Sequence, residues 1–207
     1  MQTEKEDYSF YTIAKPSQSV FRDRNSRFLA FAFPVENEED IKDCIDKLKK
    51  QFHDARHFCY AYILGYDKSI WRANDDGEPS GSAGLPIYNQ CLSFNLTNIL
   101  IVVVRYFGGT KLGVPGLINA YKTSSRLALE QNKIIKEFLS ENIEIKFPWI
   151  EMNQVMTYVK NENIEVLNKE FTADCTMTLR VPLHKKNELK DYFNSFSIQI
   201  NESTKID

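Results

Sequence analysis

Two glycine-rich blocks hold the residues whose types and spacing best fit a binding site. Seven of the eight glycines lie between Asp75 and Gly116, in DDGEPSGSAG (75–84) and RYFGGTKLGVPG (105–116). Glycine permits left-handed backbone angles and close approach of a ligand, at a cost in folding entropy. Ordinary turns need only one or two glycines, so this concentration predicts loops whose shape matters for binding.

Both blocks are predicted to end where a helix begins. Unpaired backbone N–H groups and the helix dipole favour an anion there, so phosphate or carboxylate is the expected guest. Neither GxxxxGK followed by Ser or Thr nor GxGxxG occurs, and we expect no cofactor. Hydroxyl groups in the first block and positive charges beside the second block add to the predicted site. The predicted ligand-binding residues are Asp76, Gly77, Glu78, Ser80, Gly81, Ser82, Gly84, Arg105, Tyr106, Phe107, Gly108, Gly109, Lys111 and Gly113.

The acidic residues of the first block allow a second interpretation. Asp75, Asp76 and Glu78 could bind a divalent metal, because hard cations choose carboxylate oxygens, or they could accept hydrogen bonds from the loop's own amides. His57, which opens the segment HFCYAY, could act as a general base if it faces them. Ser80 lacks a GxSxG setting and no cysteine has a histidine partner by pattern, so an ordinary hydrolase is not expected.

Composition restricts the class of protein. The chain has 207 residues, 43% apolar and 26% charged, as in globular proteins, and its net charge of −2 requires any nucleic-acid binding to be local. The N-terminus lacks a signal-peptide core and the longest apolar run, Ile99 to Val104, is too short for a bilayer, so we expect a cytoplasmic protein without a membrane partner. The four dispersed cysteines, which have apolar neighbours, are predicted to be buried reduced thiols.

The hydrophobic periodicity predicts an α+β fold with two domains, residues 1–135 and 141–207. Strand-like alternation from Ile143 to Trp149 is followed by a helix, two strands, a second helix and a short strand, which is the ferredoxin-like order βαββαβ. Upstream, strands at 27–35, 58–65, 70–74 and 99–105 are interspersed with a helix at 38–52 and helices that begin near Gly84 and Gly116.

The two blocks also carry a family resemblance. DGEPSGSAGLPI (76–87) and RYFGGTKLG (105–113) resemble the motifs of the YigZ/IMPACT family, whose bacterial YigZ branch is the nearer one. The resemblance implies an N-terminal two-layer α/β sandwich like the second domain of a small-subunit ribosomal protein, followed by a ferredoxin-like domain similar to one in translation elongation factor G. For eukaryotic relatives it implies translational regulation through a partner of a stress-responsive kinase. The resemblance implies that this interaction is mediated partly by an additional N-terminal domain, which we expect this chain to lack, so we do not expect the same partner.

Three functional hypotheses follow. The leading one is a non-catalytic cytoplasmic factor linked to translation regulation, whose adjoining glycine loops bind phosphate groups of RNA or a nucleotide. The second is a metal-assisted enzyme acting on a small phosphorylated substrate, with Asp75, Asp76 and Glu78 as ligands and His57 as base. The third is a protein-interaction module that uses Tyr106, Phe107 and the ferredoxin-like sheet toward an unidentified partner. The leading hypothesis requires the glycine blocks to lie side by side.

Overall fold

The chain folds into two units that divide between Glu137 and Phe138. A computed structural model describes residues 8–171 and 174–206, with side chains as far as residue 201. Phe10–Glu137 forms one unit, and the described residues from Phe138 onward form the other, together with Tyr8 and Ser9. The division lies in the short stretch that separates the two predicted domains.

The N-terminal unit is built on a five-stranded antiparallel sheet in the order β2-β3-β6-β4-β5. Its strands are β2 (Ser17–Asp23), β3 (Ser26–Pro34), β4 (His57–Leu64), β5 (Ile70–Asn74) and β6 (Ile99–Tyr106). Two further strands, β1 (Ser9–Ile13) and β7 (Ile134–Phe138), form a separate two-stranded sheet. β6 is the central strand, and its residues from Ile99 to Arg105 are all buried, which explains its unbroken apolar run.

Helices cover both faces of this sheet. On one face α1 (Glu38–Gln51) packs against Leu100, Val102 and Val104, while on the other α2 (Gly84–Ser93) and α3 (Gly113–Glu130) pack against the intervening residues of β6. The α+β class is confirmed, and α1 adds a layer to the two-layer sandwich that the resemblance implies. That layer is required because β6 is apolar on both faces, and a bare face would expose large side chains to water.

The sequence of α1 explains its boundaries. Asn37 caps the helix by accepting a hydrogen bond from the Asp40 N–H at 2.9 Å. Glu38 lies in the positively polarised first turn, and Lys49 and Lys50 lie in the last turn. Ile41 and Leu48 are buried, so the predicted apolar stripe faces the sheet.

The C-terminal unit has the predicted ferredoxin-like topology. Its antiparallel sheet has the order β11-β8-β10-β9, with two helices between the strands. The elements are β8 (Ser140–Phe147), α4 (Met152–Asn161), β9 (Glu165–Phe171), β10 (Cys175–Pro182), α5 (Lys186–Phe193) and β11 (Gln199–Ile206). Apolar residues of both helices share one core with the alternating residues of β8 and β10. Short 3-10 turns, Trp149–Glu151 and Leu183–Lys185, precede the two helices.

Two simpler expectations can be compared with the structure. Within the described residues, no helix has the length and apolar character needed to span a membrane. The cysteines are free thiols, and Cys59, Cys91 and Cys175 are buried as predicted. Cys44 was also predicted to be buried, but it is partly exposed.

Candidate functional site

The two glycine blocks leave the sheet at the same end. The first block follows β5 and the second follows β6, and the two strands are separated only by β4. In the registers on either side of β4, Tyr60 pairs with Asn74 and His57 pairs with Arg105. A direct contact joins the blocks, because Arg105 Nη1 lies 2.6 Å from Glu78 Oε1. The predicted adjacency of the blocks is therefore observed.

The first block folds around the carboxylate of Asp75. Its Oδ1 accepts hydrogen bonds from the N–H groups of Ala83 at 2.9 Å and Gly84 at 2.8 Å, and its Oδ2 accepts one from Gly81 at 2.8 Å. Because α2 begins at Gly84, Asp75 supplies the negative charge that favours a helix start. The loop's own aspartate thus occupies the amides of Gly81 and Gly84, where an external phosphate was expected.

The turn at Asp76 and Gly77 connects the first block to β4. Both residues have positive φ, 39° and 84°, and Asp76 Oδ2 accepts a hydrogen bond from the Phe58 N–H at 2.6 Å. The Asp76 carbonyl oxygen lies 2.9 Å from His57 Nδ1, so the backbone, rather than a carboxylate, orients this imidazole. The buried Ser82 hydroxyl donates to the Pro79 carbonyl oxygen at 2.6 Å. Of the hydroxyls predicted to reach a ligand, only that of Ser80 belongs to an exposed residue.

A buried polar network lies beneath both blocks. Glu78 Oε1 accepts hydrogen bonds from Arg105 Nη1 at 2.6 Å and from the Tyr121 hydroxyl at 2.7 Å. The two charged side chains are only 4% and 7% exposed. Cys59 Sγ lies 3.3 Å from the Tyr121 oxygen. Burial raises the pKa of the Cys59 thiol. Burial also raises the pKa of the Tyr121 hydroxyl, and the neighbouring Cys59 and Glu78 raise it further. Arg105 was predicted to flank a phosphate, but its charge is paired internally with Glu78.

The three acidic residues proposed as metal ligands therefore serve separate purposes. Asp75 organises the first block, Asp76 binds the start of β4, and Glu78 neutralises Arg105. Across the described residues, no group of three histidine, cysteine, aspartate or glutamate side chains is arranged to hold a metal ion. Since each carboxylate already has its partners, this geometry does not support the metal-assisted alternative.

The second block is the open part of the site. A Cβ added to Gly108 would lie 2.1 Å from the Asn25 carbonyl carbon, so this glycine is required by the close approach of the β2–β3 turn. Gly109 has φ of 86° and open space around such a Cβ. α3 begins at Gly113 without a side-chain hydrogen bond at its N-cap, Leu112, and the neighbouring Lys111 is exposed. Within residues 8–171 and 174–206, the N-cap of α3 thus makes no side-chain hydrogen bond and Lys111, beside the first amides, forms no ion pair.

Basic residues of the β2–β3 hairpin border this open block and were missed by the sequence analysis. Arg22, Arg24 and Arg27 are all exposed, and the turn between them contacts Gly108. Their signal is the run RDRNSR at 22–27, three arginines in six residues before a buried strand. Arg27 also lies over the ring of Tyr106, 4.8 Å from its centroid.

The aromatic pair at the end of β6 completes this surface. Phe107 is 55% exposed, and the Arg105 guanidinium lies 5.6 Å from its ring centroid. The Tyr106 hydroxyl donates to Asp54 Oδ1 at 2.6 Å, which lowers the pKa of Asp54 and raises that of Tyr106. We call Arg22, Arg24, Arg27, Tyr106, Phe107 and the segment Gly108–Gly113 the basic-aromatic surface. It combines positive charge, the first amides of α3 and two rings, of which Phe107 is exposed and Tyr106 is half-buried.

The fold and this site define a two-domain α+β protein with a glycine-loop surface at one end of its N-terminal sheet. Comparison of the chain with known proteins identifies its family. The model of the Impact N-terminal domain matches residues 24–129, just over half of the chain and both glycine blocks, and the chain belongs to the IMPACT family. It is 38% identical over 132 residues to the IMPACT family member YvyE of Bacillus subtilis, which covers 64% of this chain and 61% of YvyE.

Two further similarities extend over most of the chain. The IMPACT family member YigZ of Escherichia coli is 27% identical over 186 residues, which cover 89% of this chain and 91% of YigZ. A crystal structure of a hypothetical protein superimposes with a TM-score of 0.70 at 26% identity, covering 96% of this chain and 98% of that one. Both units are therefore found together in related proteins.

Proposed function

We propose that this chain is a non-catalytic cytoplasmic factor linked to translation regulation that binds the phosphate groups of RNA on its basic-aromatic surface. The link to translation rests on membership of the IMPACT family. The family resemblance implies that the eukaryotic members regulate translation. The observation that supports RNA as the ligand is the gathering of three exposed arginines at the end of the sheet where β6 leads into the second glycine block and Lys111.

The charge distribution favours a polyanion at this surface. The net charge of the chain is −2, yet Arg22, Arg24 and Arg27 belong to the end of the sheet at which β6 finishes, and Lys111 follows β6 there. By strand register, Arg22 and Arg27 project with Tyr106 to the face that α1 covers. The backbone N–H groups at the start of α3 add hydrogen-bond donors at the positive end of the helix dipole, which also favours an anion. Phosphate contacts of this kind position a nucleic acid without reading its sequence, so we expect little base specificity from them.

The exposed rings favour RNA with unpaired bases. Aromatic side chains beside a positively charged groove are the usual stacking platforms for single strands. Phe107 is backed by the guanidinium of Arg105, which Glu78 holds in place. The buried ion pair thereby supports the ring from below, and in this proposal its contribution to binding is indirect.

Salt-titrated binding tests the proposal. We would measure fluorescence anisotropy of a labelled single-stranded RNA 20-mer with the wild type, the variant Arg24→Ala/Lys111→Ala and the variant Phe107→Ala. For a single strand each lost phosphate contact reduces the slope of log K against log salt by about 0.7, so the double variant should lose about 1.4. Phe107→Ala should weaken binding about tenfold with an unchanged slope, because stacking contributes roughly 1–3 kcal/mol per base.

The matched control is Lys42→Ala/Lys133→Ala. Both lysines are exposed and belong to the same unit, and they lie near the start of α1 and beyond the end of α3. Equal losses in the control and in Arg24→Ala/Lys111→Ala would contradict a localised site. Absence of salt-sensitive RNA binding by the wild type would reject the proposal and favour the protein-interaction module that uses Tyr106 and Phe107.

A further inference from the structure

The C-terminal unit contains an apolar groove separate from the basic-aromatic surface. It lies between the start of the 3-10 turn and α4 on one side and strands β9 and β10 on the other, and its volume is about 580 Å³. Its principal lining residues are Trp149, Met152, Met156, Val166, Phe171 and Met177. This volume is within the range of about 300–1,000 Å³ that is typical of small-molecule sites.

The strand register explains why the groove is lined by both core and exposed residues. Lys169 and Phe171 of β9 pair with Met177 and Cys175 of β10, whose side chains are buried in the core. Directly paired residues project to the same face of a sheet, so Lys169 and Phe171 face the helix side too. Phe171 is nevertheless 42% exposed, and Trp149, whose ring centroid lies 5.5 Å from that of Phe171, is 55% exposed. The groove thus leaves large apolar side chains in contact with water.

One positive charge lies within this apolar lining. Among the described residues that line the groove, Lys169 is the single charged one. In the part of the chain that the structure describes, no carboxylate forms an ion pair with it. A cation beside an apolar cavity is complementary to a ligand with an apolar body and one anionic end.

We propose that this groove binds a free medium-chain carboxylate, with the carboxylate paired to Lys169 and the acyl chain against the methionines. Met152, Met156 and Met177 are flexible and polarisable, which suits a linear chain that has few directional contacts. A methylene group is close in size to a water molecule, which occupies about 30 Å³, so the nine chain carbons and the carboxylate of decanoate fill roughly three fifths of the groove. The site does not depend on the RNA-binding proposal.

An edge-protection role for Lys169 is the competing explanation. β9 is an edge strand with a register irregularity opposite Thr178 and Leu179, and inward-facing charges and bulges both discourage pairing with another chain. These features make an added strand an unsuitable occupant. They do not explain the cavity or the exposed rings of Trp149 and Phe171, which a ligand would cover.

Fluorescence of Trp149 provides the test. The chain has two tryptophans, so the full-length variant Trp71→Phe leaves Trp149 as the only reporter. We would titrate it with decanoate, below the concentration at which decanoate forms micelles, and with the neutral analogue decanol. We expect saturable one-to-one binding of decanoate. Lys169→Met should weaken decanoate binding about five- to tenfold and leave decanol binding unchanged, because only the charge-assisted contact is removed.

Two further variants keep the test decisive. Met156→Glu places a carboxylate at a partly exposed lining position and should weaken decanoate binding more than tenfold. Lys160→Met removes an exposed lysine of α4 that does not line the groove and should bind decanoate normally. Absence of saturable binding, or equal decanoate affinity in Lys169→Met and the wild type, would overturn the proposal. Self-association that Met156→Glu abolishes would overturn it as well, since a second copy would then occupy the groove.

Discussion

Replacing Glu78 by Gln gives a sharp test of the buried network beneath the glycine blocks. The substitution keeps an oxygen that can accept the Tyr121 hydroxyl but removes the negative charge 2.6 Å from Arg105 Nη1. Arg105 Nε has no hydrogen-bond partner among the described residues, so Glu78 is the group that compensates this guanidinium. The variant leaves a nearly fully buried positive charge without a counter-charge.

The expected loss of stability is large. At an effective dielectric constant of about 20, two unit charges at this separation attract by roughly 6 kcal/mol, of which desolvation offsets a large part. Removing one partner of a buried pair typically costs about 3–5 kcal/mol, and the retained hydrogen bond places Glu78→Gln near 3 kcal/mol. Arg105→Met should cost a similar amount. Because the double variant contains neither buried charge, it should lose about 3 kcal/mol rather than 6, a coupling of roughly 3 kcal/mol.

Urea unfolding in a Trp149→Phe background measures this effect, since Trp71 then reports on the N-terminal unit alone. With a slope of about 2 kcal/mol per molar urea, Glu78→Gln should lower the midpoint by roughly 1.5 M. The control is Glu130→Gln, which breaks the half-exposed pair with Arg126 at 3.7 Å and should cost less than about 0.5 kcal/mol. A Glu78→Gln loss no larger than that of Glu130→Gln, or additive single variants, would refute the role assigned to this pair.

Three other predictions use the same unit. Asp75→Asn should lower the free energy of unfolding in urea by about 2 kcal/mol, because it weakens three hydrogen bonds to an ionised acceptor. The control Asp67→Asn changes a residue at an exposed turn that accepts one backbone hydrogen bond, and it should cost under about 1 kcal/mol. Equal losses in the two variants would contradict the central position of Asp75. Gly108→Ala should destabilise the protein more than Gly109→Ala. The Cβ added at position 108 would lie 2.1 Å from the Asn25 backbone, whereas the one added at position 109 incurs only the roughly 1 kcal/mol strain of a positive φ. The reverse order would refute the packing argument. Alkylation at pH 8, followed by mass spectrometry, should modify the partly exposed Cys44 before the buried cysteines. The reaction of Cys44 should be slow because burial raises the pKa of its thiol. Fast modification of any buried thiol in the native protein would show that the core opens.

The sequence predicted the elements whose signal is periodic. The βαββαβ pattern could be identified because every second residue from Ile143 to Phe147 is apolar. The adjacency of the glycine blocks was predicted because the helix and strand between them were expected to return the chain to the same edge of the sheet. β2 was missed because SQSVFRD has little apolar character and its edge position leaves it partly exposed. α3 begins at Gly113, three residues before the predicted start, since Pro115 is tolerated in a first helical turn.

The functions of individual charged residues could not be predicted in the same way. Whether Arg105 binds a ligand or Glu78 depends on strand register and on a contact between residues 27 positions apart. Asp75 posed the same problem, because a carboxylate before a glycine loop fits a metal site and a self-capping loop equally well until the amides are located. The hairpin arginines could not be assigned to the site from the sequence, because only the structure shows that the β2–β3 turn at Asn25 packs against Gly108.

The central position of β6 has a consequence for synthesis of the chain. Strands β3 and β4 pair with β6 and not with each other, although both are made before it. During translation at about 5–20 residues per second, roughly 35 residues after β4 must be added before the sheet can close, a delay of some two to seven seconds. During that interval the nascent chain exposes Phe28, Phe58 and Ile63 without their eventual neighbours. Folding of the N-terminal unit therefore depends on the emergence of a single late strand, and chains that end before Ile99 should require chaperones or aggregate.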